Sequence, residues 1–167
     1  CLLDRPRHKK IIEELNELKV NLKLISDGDI SGSLLVSTEI FGVDIFMGIG
    51  GGPEGVLAAS ALDAYNCNFQ GRFIFKEEND ISRAKKMGIK ELDRKYELSE
   101  IISGDSIFCA TGITSGDLAK GIKLIDDKYS SETLVTHKNS NTKKVIKRTE
   151  NLTLWFQSPK RYGVKDK

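Results

Sequence analysis

No stretch of the 167-residue chain approaches the ~20 consecutive apolar residues that a bilayer-spanning helix needs. That excludes a transmembrane helix and a membrane partner reached through one. No basic start leads into an apolar core, so no secretory leader is read. Cysteine is scarce and odd in number: Cys1, Cys67 and Cys109, with no C-x-x-C spacing. This argues against a disulfide framework or a cysteine metal site, and a reducing, cytoplasmic compartment is expected. A dominant charge is missing too. Against 26 basic residues stand 24 acidic ones, a net charge of +2, which is too balanced for a nucleic-acid or anionic-membrane surface. Also absent are G-x-x-x-x-G-K-[ST], H-E-x-x-H and G-x-S-x-G. The sequence therefore offers no Walker-type nucleotide loop, zinc-protease helix or serine-hydrolase elbow.

What is present describes an ordinary globular chain, 39% hydrophobic and 30% charged, of a length that suits one domain. We place that domain at 1–157, with a basic tail, 158–167, after it. "PRHKKIIEELNELKV" sets Ile11, Ile12, Leu15, Leu18 and Val20 at helical spacing. "NLKLIS" alternates like a strand, and "DGDISGSLLVSTEI" opens as an acidic turn with Asp29 as a helix N-cap. "VDIFMGI" reads as a buried strand, and "PEGVLAASALDAY" as a helix with Pro53 at its start. "NFQGRFIF" is strand-like, and "NDISRAKKMG" predicts a helix with a glycine stop. "DSIFCATGI" reads as a strand and "SGDLAKGI" as one helical turn. "ETLVTHK", "TKKVIKRT" and "NLTLWF" are β-rich, with "NSN" as a turn. The alternation predicts an α/β fold: three layers, α/β/α, around a mostly parallel or mixed sheet, with a late β-hairpin at an edge.

In such sheets ligands bind beyond the carboxyl ends of the strands. Three predicted strand ends carry suggestive groups. In "GIGGGPEG", Gly50, Gly52 and Gly55 satisfy G-x-G-x-x-G, with Glu77 following at about the fingerprint's distance of ~20 residues. Glu54 opposes a dinucleotide reading, because a carboxylate in the first turn competes with a pyrophosphate, and Pro53 removes a donor. It fits a metal ligand or acid/base group better, although the helix dipole alone also favours a first-turn Glu. In "LISDGDI", Asp27 and Asp29 bracket Gly28 and could bind a cation or sugar hydroxyls, or simply form an Asx turn. "RPRHKK" gathers Arg5, Arg7, Lys9 and Lys10 around His8, and arginine forks hold phosphate bidentately. In "ATGITSGD", Thr111, Thr114, Ser115 and Asp117 form either a second phosphate loop or a capped turn.

Taken in order, "LLDRPRH", "LISDGDI", "GIGGGPEGVLAASAL", "GRF", "ATGITSGDLAKGI" and "ETLV" resemble the class II fructose-1,6-bisphosphatases of the GlpX type, from Leu2 to about Ile146. The resemblance implies a sugar-phosphate phosphatase of gluconeogenesis in the lithium-sensitive carbohydrate phosphatase superfamily. Such enzymes use Mn²⁺ or Mg²⁺ to hydrolyse the 1-phosphate of fructose 1,6-bisphosphate, and some relatives also take sedoheptulose 1,7-bisphosphate. It puts the family's phosphate-binding segment on Arg5, Pro6 and Arg7, and its sugar-binding D-G-D on Asp27, Gly28 and Asp29. The glycine loop falls on Gly51 and the C-terminal metal-site glutamate on Glu54. Gly52 stands where many relatives have alanine.

The family's other metal carboxylates lie in an N-terminal half that this chain lacks. The resemblance therefore implies a C-terminal half with no catalytic residue of its own, inactive or nearly so alone. Self-association into a homo-oligomer is expected from the surface so left open. Two other readings stand beside it. A haloacid-dehalogenase-like phosphatase would use Asp27 as nucleophile, Thr111 for phosphate and Asp126-Asp127 for Mg²⁺. A non-catalytic nucleotide or sugar-phosphate module would use Gly50, Gly52 and Gly55.

Overall fold

The computed structural model describes residues 1–151. In chain order they form β1 (Leu2–Leu3), a 3-10 turn (Pro6–His8), α1 (Lys9–Glu17), β2 (Leu24–Ile25), α2 (Asp29–Leu34) and two further 3-10 turns (Leu35–Ser37, Glu39–Phe41). Next come α3 (Gly52–Asp63), β3 (Gln70–Gly71), α4 (Glu78–Lys86), β4 (Tyr96–Glu97) and α5 (Leu98–Ile101). The strands β5 (Ile107–Thr111), β6 (Lys123–Ile125), β7 (Lys128–His137) and β8 (Thr142–Asn151) complete the order. The β-rich "NLTLWF", the domain limit at 157 and the basic tail lie almost wholly outside the described residues.

The helices follow their local chemistry. Lys9 and Lys10 open α1 against the helix dipole, and each is answered one turn on, by Glu13 and Glu14 at 3.8 Å. Helix α4 has Glu78 and Asp80 in its first turn and Arg83, Lys85 and Lys86 in its last, then stops at Gly88, whose φ is +92°. In α2 the predicted cap is displaced by one residue. Gly28 is the cap, at φ +90°, and Asp29 is the first helical residue, because the left-handed turn favours the residue without a Cβ.

Alanines make α3 thin. Ala58, Ala59, Ala61 and Leu62 are buried, and the helix packs on α2 and on β5 and β7. The core joins Leu34 of α2, Ala61 and Leu62 of α3, Phe108 of β5 and Leu134 of β7. Polar bonds lock the same interface. The buried Thr136 hydroxyl donates to the Ala61 carbonyl at 3.4 Å, and Lys138 Nζ donates to Asp63 Oδ1 at 2.7 Å.

The architecture is α/β, but among the described residues the strands form three small sheets rather than one mostly parallel or mixed sheet. Strands β1 and β2 pair in parallel, β3 and β4 antiparallel, and β7 stands between β5 and β6 with β8 also paired to it, all antiparallel. The late hairpin is as the sequence predicts, with its turn at 138–141 around "NSN". Turns of a few residues join β6, β7 and β8. Such turns permit only antiparallel neighbours, since a parallel pair needs a long crossover.

The segment read as the strand "VDIFMGI" does run beside β1. Cys1 N donates to Ile45 O at 2.6 Å, and Met47 N donates to Cys1 O at 3.0 Å, the parallel pattern. It is not buried, however: Ile45 is 66% exposed.

The predicted helical turn in "SGDLAKGI" is instead a loop closed on itself. Ile122 N donates to Ile113 O at 3.1 Å, and Gly121 N donates to Ser115 Oγ at 3.0 Å. Gly121 is needed there, because a Cβ would lie 2.6 Å from Thr114 C and 2.7 Å from Ile113 O. We expect Gly121→Ala to lower the unfolding free energy by about 1–3 kcal/mol, since backbone must shift. Gly116→Ala in the same loop meets open space and should stay within about 0.5 kcal/mol. Paired thermal and denaturant melts check both.

His137 at the hairpin turn reaches Asp105 through Nε2 at 2.8 Å and Ser140 Oγ through Nδ1 at 2.7 Å. The hydrogen bond from His137 holds the Asp105 carboxyl below the ordinary carboxylate range. A lowered folded-state pKa stabilises above the unfolded value and loses that contribution as pH falls through the folded one. Carboxyl NMR titration should show Asp105 ionising on the acid side of ordinary aspartates, and His137→Phe should move it back up.

Candidate functional site

Two of the three predicted strand ends meet, joined by the basic turn that follows β1. Arg5 caps the Pro6–His8 turn, and its guanidinium lies 3.6 Å from Asp27. Arg7 Nε donates to the Ile49 carbonyl, just before the glycines, and its Nη2 is 3.8 Å from Asp29 Oδ2. Asp27 Oδ1 also accepts the Gly28 N–H at 2.9 Å, so this carboxylate is aimed by its own turn. Asp29 Oδ2 in turn lies 3.8 Å from where a Gly50 Cβ would sit. Arg5, Arg7, Asp27, Gly28, Asp29 and the glycine loop thus share one neighbourhood. Lys9 and Lys10, in the same basic run, belong instead to the surface of α1.

Both pairs are open to solvent, Asp27 at 91% and Asp29 at 31%, and at 3.6 and 3.8 Å each is worth no more than about 1 kcal/mol. Pairs this weak leave the outer guanidinium N–H groups open to a competing anion, while Arg7 keeps its Nε on the Ile49 carbonyl. Pro6 fixes the backbone between them.

The glycine loop has a specific reason for one of its glycines. Gly51 caps α3 in extended conformation, and a Cβ there would run into Glu54 Oε2. The Glu54 carboxylate folds back over Gly51 at the helix N-terminus, where the dipole favours it. Gly52 and Gly55 have open space where a Cβ would sit, so neither is required by packing within the described residues. A dinucleotide fingerprint uses its third glycine for close helix–strand contact, and Gly55 makes none. Glu77 serves as the backbone cap of α4.

The third strand end is placed elsewhere. Thr111 Oγ1 meets Thr133 Oγ1 at 2.9 Å, Ser115 accepts from Gly121, and Asp117 pairs with Lys23 at 3.3 Å, at the start of β2 rather than its end. Asp126 and Asp127, which a dehalogenase-like site would use for Mg²⁺, form the turn between β6 and β7, with Asp126 at φ +55°. That is hairpin chemistry.

The residue that sequence reasoning undervalued is His8, which is fully buried. Its Nδ1 lies 2.7 Å from the Leu3 carbonyl, and its Nε2 accepts the Ile49 N–H at 2.9 Å. A histidine amid four cations reads as solvated, and only its partners in space show otherwise. Among the described residues, no group of three or more His, Cys, Asp or Glu side chains is placed to hold a metal ion. Glu54 stands as a single exposed carboxylate.

The arginines, the D-G-D turn and the glycine-capped helix thus come to one place in an α/β chain. Residues 1–150 match the family model described as bacterial fructose-1,6-bisphosphatase, glpX-encoded, and the chain belongs to that family. It is 35% identical over 158 residues to the D-fructose 1,6-bisphosphatase class 2/sedoheptulose 1,7-bisphosphatase of Crocosphaera subtropica, covering 87% of this chain and 46% of that protein. It is 36% identical, with the same coverage, to the protein of that name from Synechococcus sp. strain JA-3-3Ab. The chain spans about half the length of the curated relatives it matches, 46%.

Gly51→Ala tests the link between the loop and Glu54. The atom a Cβ would meet is the free end of a side chain, so we expect stability to change by no more than about 0.5 kcal/mol. The Glu54 carboxyl resonance should move in a ¹³C spectrum, whereas Gly52→Ala should leave it in place.

Proposed function

We propose that this chain is the substrate-binding C-terminal half of a class II fructose-1,6-bisphosphatase, which hydrolyses the 1-phosphate of fructose 1,6-bisphosphate in gluconeogenesis. The convergence of Arg5 and Arg7 with Asp27, Asp29 and the Gly50–Gly52 turn carries the proposal. The two guanidiniums take phosphate oxygens, and Asp27 and Asp29 accept sugar hydroxyls in the space the phosphate opens. Pro6 and Gly28 fix the two turns, and Gly51 leaves room for Glu54. Because the two relatives are named for both activities, sedoheptulose 1,7-bisphosphate is a second candidate substrate.

On this reading Glu54 is one ligand of a divalent ion, Mn²⁺ or Mg²⁺. A single carboxylate does not make such a site, because Mg²⁺ takes near-octahedral oxygen coordination. The remaining ligands belong to segments outside the described residues, and no metal-dependent step follows from this chain by itself. The exposed Val56 and Leu57, at 48% and 46%, offer a face for an N-terminal half or for a second copy in a homo-oligomer. The complete protein would be cytoplasmic and take the three-layer α/β/α form of the carbohydrate phosphatases. No helix among the described residues is long and apolar enough to cross a membrane.

Phosphate release from fructose 1,6-bisphosphate with Mn²⁺ tests the proposal. It is measured for this chain alone and for the chain extended by the coding sequence that precedes it. We expect turnover only in the longer form, and Arg7→Ala there should raise KM more than it lowers kcat. Absence of turnover in both forms sinks the phosphatase reading. Turnover in the short chain alone refutes the shared-ligand account of Glu54.

A further inference from the structure

We propose that His8 is a positioning residue: as the neutral Nδ1–H tautomer it holds the Ile49 peptide, and through it the glycine loop, against the Arg5–Arg7 turn. The ring is fully buried. Nδ1, 2.7 Å from the Leu3 carbonyl, must donate, because a carbonyl only accepts. Nε2, 2.9 Å from the Ile49 amide, must accept, because an amide N–H only donates. Both requirements are met by a single protonation state. The neighbouring Arg7 takes the other end of the same residue, its Nε donating to the Ile49 carbonyl.

Ile49 is thus gripped at N–H and C=O by consecutive side chains of one 3-10 turn. Gly50, Gly51 and Gly52 follow at once, and glycines alone do not hold a loop in one conformation. With its Nε committed to Ile49, Arg7 keeps other guanidinium N–H groups in a fixed orientation for a phosphate. The functional half of the proposal rests on the phosphate-site reading above. The mechanical half does not.

The test uses the ¹⁵N-labelled full chain, in which His8 and His137 are the two histidines. Imidazole nitrogen spectra should show His8 protonated at Nδ1, with Nε2 coupled across the hydrogen bond to the Ile49 amide. The opposite tautomer or an imidazolium overturns the proposal without any mutation.

Two variants separate the bonds. His8→Asn keeps a donor near Nδ1 but has no acceptor at the Nε2 position, and His8→Gln restores an acceptor there. Exchange of the Ile49 amide should speed up about tenfold in H8N and return towards the parent rate in H8Q. Titration with inorganic phosphate and with fructose 1,6-bisphosphate should weaken about tenfold in H8N, with recovery in H8Q. Unchanged Ile49 exchange in a folded H8N overturns the positioning role whatever the ligand does. Exchange that follows His8 while the parent chain binds neither ligand upholds the positioning role and defeats the phosphate-site reading.

Discussion

The site depends on one buried two-residue strand. Leu2 and Leu3 are each 1% exposed, with β2 on one side and the 45–47 segment on the other, both parallel to it. Parallel neighbours end at the same edge. The turn after β1, the D-G-D turn after β2 and the glycine loop after 45–47 therefore emerge together. Arg5, Asp27 and Gly51 are far apart in sequence, and the long-range pairing of β1 with its two neighbours is what brings them to one edge. His8 adds the cross-tie, bonding back to Leu3 and across to Ile49.

The electrostatics built on this frame is weak because of its surroundings rather than for lack of charge. Arg5–Asp27 and Arg7–Asp29 are separated by 3.6 and 3.8 Å and lie at the surface, Asp29 half-buried, where pairing stabilises little. A buried pair of the same residues would be expensive to separate. Weak pairs let the outer guanidinium N–H groups change partners, while Nε of Arg7 stays on the Ile49 carbonyl. The contrast is Lys138–Asp63, where the carboxylate is 11% exposed and the bond is 2.7 Å. That pair joins α3 to the hairpin turn and has a structural place, not a binding one.

Much of this was readable in the sequence, because the informative signals are local. The acidic start, basic end and glycine stop of α4 are written in a dozen or so neighbouring residues, and the alternation and "NSN" turn of β7 and β8 in a further stretch. The three motifs of the site were legible as motifs. The rule about strand ends brought together the D-G-D turn and the glycine loop, but it also included "ATGITSGD", which lies elsewhere, and it did not include the basic turn after β1. What stayed hidden was set by partners distant in the chain. Nothing beside His8 marks it as buried. "ATGITSGD" reads as either a phosphate loop or a capped turn until Gly112 and Gly121 are seen to serve a closure of backbone on backbone. The sheets were overdrawn as one, since apolar runs such as "VDIFMGI" signal a strand but not how many neighbours it finds.

The exposed side of that segment bears on the half-site argument. Helix α3 is apolar on nearly every side, and a helix of that kind belongs inside a larger body. Its alanines are covered, yet Val56 and Leu57 are open, and they lie within one turn of Glu54. Ile45 and Met47, just before the glycine loop, are open as well. On the proposed reading, a segment that covers Val56 and Leu57 also arrives beside the single carboxylate. Burial of the apolar face and completion of a ligand set around Glu54 then become the same event. Hydrophobic burial would supply the driving force for bringing together carboxylates that would otherwise repel one another, which gives a physical reason for dividing such a site between two halves.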